Sequence, residues 1–142
     1  YDGWKVYKFR ENAADVCYMA SIPGKQEGNY TKRGDAYALI THRPAEDSFD
    51  VFSFTAGYDY KDNSDVSLTI GKQHFTLFTH GDTAWAQDLK TEKTLVEAIR
   101  QGETMVIKGT SKRGTETTDT IDLRGTQQAY NRISKECNKP RK

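Results

Sequence analysis

Val16-Cys17-Tyr18-Met19-Ala20-Ser21-Ile22 carries the alternation from which the fold class follows. Val16, Tyr18, Ala20 and Ile22 share one parity, while Cys17 and Met19 share the other. Alternation with a period of two places such sets on opposite faces of a β-strand. The pattern recurs downstream in Phe52, Phe54 and Ala56, in Val66, Leu68 and Ile70, and in Phe75 and Leu77. It returns in Met105 and Ile107, then in Ile121 and Leu123. Each set is expected to line one face of a half-buried strand. Turn chemistry separates the runs: Pro23-Gly24, Arg33-Gly34-Asp35, Asp62-Asn63-Ser64, Gly71-Lys72, His80-Gly81-Asp82 and Arg113-Gly114-Thr115. About eight short strands at this spacing read as an all-β antiparallel sandwich.

Two segments toward the C-terminus leave this pattern. In Thr94–Gly102, Leu95, Ala98 and Ile99 recur at i, i+3 and i+4, an apolar helical stripe. Thr94 with Glu97 reads as a capping box, and Gly102 as a left-handed stop. From Thr126 to Cys137, Ala129, Ile133 and Cys137 fall on one helix face. The chain holds two cysteines, Cys17 and Cys137, near its opposite ends. Their spacing fits no metal knuckle, CxxC redox motif or haem-attachment signature. Two readings remain, a disulfide and a pair of unrelated buried thiols. The helix phase favours the first, because it turns Cys137 toward the strand face that carries Cys17. A disulfide would place the chain in an oxidising compartment.

The length of 142 residues suits a single domain, 1–142, with a real core. Only 35% of residues are hydrophobic, so the surface must be polar. The 21 basic and 20 acidic residues nearly balance, which argues against nucleic acid as a partner. Lys139, Arg141 and Lys142 make a short solvated basic tail. No apolar run approaches the ~18 residues of a membrane-spanning helix. The chain starts at Tyr1 and not at Met, which reads as a mature or trimmed product whose export signal was removed.

Several strings, taken in order, carry a family resemblance. They are Arg33-Gly34-Asp35-Ala36-Tyr37, Thr41-His42-Arg43-Pro44, Gly57-Tyr58, Gly81-Asp82-Thr83-Ala84-Trp85-Ala86, Lys112-Arg113-Gly114-Thr115 and Asp119-Thr120. With Trp4 ahead and a Cys-ended tail behind, the chain resembles the invasion-associated locus B family from Trp4 to Cys137. The resemblance implies an immunoglobulin-like β-sandwich, exported and held in the periplasm or at the outer membrane of an alphaproteobacterium. It implies a link to entry into host cells, notably red cells. It implies no reaction, so no catalytic residue and no cofactor carries over. Many relatives have a further Cys soon after the early Trp, whereas Lys5, Val6 and Tyr7 follow Trp4 here. Cys17–Cys137 is therefore the one intrachain pair available.

Among candidate sites, His74 and His80 would lie roughly 20 Å apart on a straight strand, too far to share a metal ion. His42, His74 and His80 are read as surface or turn residues, and no metal is expected. No GxSxG elbow or HExxH frames a hydrolase. Gly71-Lys72 lacks the upstream glycine of a phosphate loop. Gly81-Asp82-Thr83-Ala84-Trp85-Ala86 has two readings. One is a hairpin whose Trp85 fills the core. The other places Trp85 with Tyr58 and Tyr60 as an exposed aromatic binding platform, since Trp and Tyr make good interface anchors. Arg33-Gly34-Asp35 matches an integrin-binding tripeptide, but Gly-Asp is also ordinary turn chemistry. Asn29-Tyr30-Thr31 matches the glycosylation sequon, which a bacterial origin would leave unmodified.

The leading expectation is a non-enzymatic, exported, disulfide-closed sandwich acting in host-cell invasion through its surface, on a host-cell or bacterial envelope protein. The runner-up is a housekeeping envelope domain supporting integrity or assembly. The third is an envelope hydrolase.

Overall fold

The computed structural model describes residues 3–28 and 33–137. Tyr1, the Asn29-Tyr30-Thr31 sequon and the basic tail of Lys139, Arg141 and Lys142 lie outside the described residues. The strands are β1 (Lys5–Glu11), β2 (Ala14–Ser21), β3 (Lys25–Gly28), β4 (Tyr37–Arg43), β5 (Ser48–Thr55), β6 (Asp65–Ile70), β7 (Gln73–His80), β8 (Thr83–Trp85), β9 (Thr104–Thr110) and β10 (Glu116–Asp122). The helices are α1 (Leu89–Gln101) and α2 (Thr126–Glu136). Among the described residues, the strands form one sheet in the order β1-β2-β4-β5-β8-β7-β6-β9-β10-β3, and every pairing is antiparallel.

This order forces the sheet to fold over on itself. β2 is second in the sheet and β3 is last, yet only Ile22-Pro23-Gly24 joins them. Three residues span at most about 14 Å. Near the same place, the Trp4 indole before β1 donates to the Asp122 carbonyl at the end of β10, at 3.1 Å. The expected antiparallel sandwich is thus formed, with both layers belonging to one continuous hydrogen-bonded sheet.

The strand register places one buried face across the strands that lie between the edge strands β1 and β3. Met19 opposes Ile40, Ile40 opposes Phe52, and Ala38 opposes Phe54. Across the other layer, Leu68 pairs with Phe75 and Ile107, and Met105 with Ile70 and Ile121. These side chains share one core cluster with Trp4, Leu77 and Ala84. β2 reverses its expected orientation. Cys17, Met19 and Ser21 are buried, whereas Tyr18 and Ala20 are half-buried and Ile22 is 71% exposed. Only Val16 of the expected inward set is buried, at 2% exposure. The reason is the helix: α2 lies over the face that carries Cys17.

α2 packs on β1 and β2, while α1 packs on β5, β7 and α2. Thr126, Ala129, Tyr130 and Ile133 form the buried side of α2. Cys137 caps its end through an N–H bond to the Ile133 carbonyl at 3.0 Å. Cys137 and Cys17 form a disulfide, with their Cα atoms 6.1 Å apart. α1 begins five positions before the expected start at Thr94. Asp88 is its N-cap and accepts from the Thr91 N–H at 2.7 Å, while Thr94 Oγ1 donates back to the Lys90 carbonyl. The inward stripe of Leu95, Ala98 and Ile99 stands as expected. Gly102 is extended, with φ −86° and ψ 172°, and not left-handed. It is small for a packing reason: a Cβ there would lie 2.5 Å from Ile70 Cγ2.

Glu92 faces inward from α1, and its Oε2 accepts from the Phe52 N–H at 3.1 Å. Burial raises its pKa above the ordinary 4.5, the Phe52 N–H opposes that shift, and Asp50 adds to it. A carboxyl whose folded pKa is raised stabilises the fold least when ionised. Below 4.5 it is neutral folded and unfolded, and the penalty grows as pH rises through the folded value. Glu92→Gln keeps an acceptor for Phe52 and removes the charge. Thermal melts are expected to show a higher Tm for Glu92→Gln at pH 7, with the difference closing below pH 4.5. An equal or lower Tm at pH 7 would contradict this.

Candidate functional site

Asp119 occupies an inward position of β10, in register with Ile107 and on the parity of Ile121. A carboxylate at such a position needs a partner. Arg33 supplies it, from the segment before β4. Its Nη1 and Nη2 donate to Asp119 Oδ1 and Oδ2 at 2.7 and 2.6 Å, and Nε donates to the Ala56 carbonyl at 2.7 Å. The two side chains are 5% and 1% exposed. This is the bidentate fork geometry that suits a guanidinium and a carboxylate. It ties the segment before β4, the end of β5 and the middle of β10 into one rigid unit.

The loop after β5 is built onto that unit. The Gly34 N–H donates to the Gly57 carbonyl at 2.8 Å. Gly57 has φ 82°, and a Cβ there would collide with the Gly34 carbonyl oxygen, so only glycine fits. Tyr58 then lies under Arg33, with the guanidinium 5.0 Å from the ring centroid, and its hydroxyl meets Thr117 Oγ1 at 2.6 Å. Tyr58 and Tyr60 meet edge to face at 5.3 Å. Gly109 makes room for both, since a Cβ there would sit 2.7 Å from the Tyr60 ring and 3.2 Å from the Tyr58 hydroxyl. The turn between β9 and β10 closes the far side. The Lys112 N–H donates to the Asp59 carbonyl, the Lys61 N–H to the Thr110 carbonyl, and Tyr60 bridges to Ser111.

Together these segments enclose a cleft of about 490 Å³, whose lining includes Arg33, Tyr58, Asp59, Lys112, Arg113 and Thr117. Lys112 and Arg113 stand exposed at its rim. Strings separated in sequence thus converge here: Arg33-Gly34, Gly57-Tyr58, Lys112-Arg113-Gly114-Thr115 and Asp119. The hairpin at Gly81-Asp82 joins them, because its carbonyls accept from the Tyr60 and Ala56 N–H groups. The cleft offers the Tyr58 ring, hydroxyls and two exposed cations. That chemistry suits binding of a polar or acidic partner surface.

The aromatic platform expected from Tyr58, Tyr60 and Trp85 is not one surface. Tyr60 is 4% exposed, and burial, reinforced by Tyr58 and Asp119 and opposed by Arg33, pushes its hydroxyl pKa well above the ordinary 10.0. Trp85 does not fill the core either. Ala84 points inward from β8, while Trp85 lies half-buried on the outer face, 5.7 Å from Phe78. Arg33-Gly34-Asp35 cannot act as a displayed tripeptide, because Arg33 is locked to Asp119 while Asp35 is exposed.

A family model described as "Invasion associated locus B (IalB) protein" matches residues 4–134. The chain belongs to the invasion associated locus B family. Among solved structures, the chain is similar to invasion associated protein b from Bartonella henselae, with a TM-score of 0.65 at 16% identity. The match covers 96% of this chain and 93% of that one, and at this identity it supports the fold. No curated protein matches the chain.

Elsewhere in this family member, three residues imitate a catalytic triad. His42 Nε2 lies 3.1 Å from Ser134 Oγ, and its Nδ1 lies 3.8 Å from Asp50 Oδ1. The hydrogen bonding opposes triad chemistry. His42 Nδ1 accepts from the Asp50 backbone N–H at 3.0 Å. The ring proton of a neutral His42 therefore sits on Nε2 and points at Ser134, so Nε2 has no lone pair with which to take the serine proton. The ring is fully buried and packs on Phe49 and Tyr130. Asp50 is engaged by the Tyr130 hydroxyl at 2.6 Å, and adopts φ 59° where the β4–β5 register shifts. His42 is thus a structural residue and not the surface histidine expected. His74 and His80 are exposed, as expected. Among the described residues, no group of three or more His, Cys, Asp or Glu side chains could hold a metal ion.

Proposed function

We propose that this family member is an exported, non-enzymatic protein that contributes to host-cell invasion, erythrocyte entry included, by binding a host-cell surface protein through the Tyr58 cleft. The convergence of dispersed strings on one preorganised cleft carries this reading. A buried ion pair is an expensive way to hold a fold, and apolar residues would stabilise it as well or better. Here the pair fixes the floor of a cleft and holds Tyr58 in place beside Lys112 and Arg113, which lowers the entropic penalty of ordering that ring on binding. The disulfide supports export to the periplasm or outer membrane, where such bonds persist.

The test is direct binding of the purified, disulfide-bonded domain to erythrocyte ghosts. Lys112→Glu with Arg113→Glu is expected to weaken binding roughly tenfold or more, because rim charges steer and register a partner. Trp85→Ala, outside the cleft, should change binding little. If wild type binds no better than an unrelated disulfide-bonded sandwich, the direct role is lost and a housekeeping role in the envelope takes its place. Turnover of envelope polymers by the purified domain would instead restore the hydrolase.

A further inference from the structure

We infer that β1 is a homodimerisation edge, on which a second copy of this chain adds its own β1 to make one continuous sheet. Among the described residues, β1 pairs only with β2, so the N–H and C=O groups of alternate residues along this seven-residue strand face away from the sheet with no strand partner there. An open edge of this length is a template for strand addition.

The residues of β1 specify their own partner. Val6, Lys8 and Arg10 oppose Met19, Cys17 and Asp15, so they lie on the inner side. Lys5, Tyr7, Phe9 and Glu11 therefore line the outer face. A twofold axis perpendicular to the sheet keeps outer face with outer face, so residues of like parity must pair across it. The register of full overlap is centred on Lys8. It sets Lys5 opposite the second copy's Glu11, Tyr7 opposite Phe9, and Val6 opposite Arg10. On the outer face both charge pairs are complementary and both ring pairs are aromatic, the combinations that stabilise cross-strand neighbours.

Among directly opposed residues the one unfavourable juxtaposition is Lys8 with its own symmetry mate. That side chain already faces Asp15 at 4.0 Å and Glu136 at 3.6 Å, which offset its charge. The aromatic pairing extends an existing cluster. Tyr7 stacks on Tyr18 at 4.9 Å, Phe9 meets the same ring at 6.0 Å, and Tyr7 and Phe9 are still 42% and 40% exposed. Dimerisation would bury these rings against their counterparts.

The experiment combines sedimentation velocity with zero-length carbodiimide crosslinking of the whole domain. Wild type is expected to shift from monomer to twice the mass as concentration rises into the hundreds of micromolar. Lys5→Glu should raise the dissociation constant roughly tenfold or more, and adding Glu11→Lys should restore it. Both residues are exposed, and Glu11 lies 4.0 Å from Arg43 Nε, a surface pair worth little, so an unchanged melt checks that each variant keeps its fold. Lys5 and Glu11 of one strand lie roughly 20 Å apart, beyond a zero-length crosslink, so a Lys5–Glu11 crosslink reports two copies. A wild type that stays monomeric throughout overturns the inference. So does a dimer that ignores both substitutions and yields no such crosslink, because it would use another surface.

Discussion

Asp119→Leu is expected to destabilise the domain by about 3–5 kcal/mol in urea unfolding, the range for removing one partner of a buried ion pair. The loss comes from Arg33. Its side chain is 5% exposed, and without the carboxylate its charge remains buried while Nη1 and Nη2 lose the Asp119 oxygens. Adding Arg33→Met to Asp119→Leu should recover most of the loss, since it removes the stranded charge and fills the space with apolar atoms. That recovery separates a pair that serves specificity from one that simply adds stability. A single-variant loss below about 1 kcal/mol would show that the pair is solvated and the cleft floor is not rigid.

Reduction of Cys17–Cys137 is expected to lower stability by about 2–5 kcal/mol. The bridge closes a loop of nearly the whole chain, so it restricts the unfolded ensemble strongly. It also pins the end of α2, whose Ala129 and Ile133 are fully buried, against β2. A helix this short is marginal in water without tertiary support. Hydrogen exchange in α2 should therefore rise on reduction before exchange in β4 or β5. Intact mass under non-reducing conditions should lie two hydrogens below the reduced form. Two free thiols in protein recovered from the periplasm would contradict the bridge.

The inner faces of β5, β6, β7, β9 and β10 are legible because each places apolar residues at strict period two against a single core. β1 and β3 are not, and the cause is their position at the sheet edges. Their residues are almost all exposed, so no buried face imprints an alternation. The turn between β1 and β2 is equally quiet, since Asn12 and Ala13 adopt φ 52° and 64° without a glycine to mark it. In β2 the apolar parity pointed the wrong way, because Tyr18 packs on the outer-face rings of Tyr7 and Phe9 while Cys17 and Met19 meet the helix. The start of α1 was masked by Thr94 and Glu97, which imitate a cap inside a helix that Asp88 had already opened.

The site was half legible. Tyr58 could be singled out as an aromatic anchor, but Arg33 and Asp119 are brought together only by the fold, 86 positions apart. One signal was present: Asp119 shares the parity of Ile121 and Leu123, and a carboxylate among inward apolar residues implies a buried cation. Which cation could not be read, because the segment that carries Arg33 meets β10 across the folded sheet. His42 was hidden for a related reason. Its burial depends on the register shift beside Asp50 and on α2, neither of which has a local sequence signature.

Hydrogen exchange of the domain bound to erythrocyte membranes tests the cleft most directly. Binding through it predicts new protection in residues 57–61 and 111–117, with the outer aromatic face at Trp85 and Phe78 unchanged. Protection confined to that outer face, or no protection anywhere on the domain, would contradict the account.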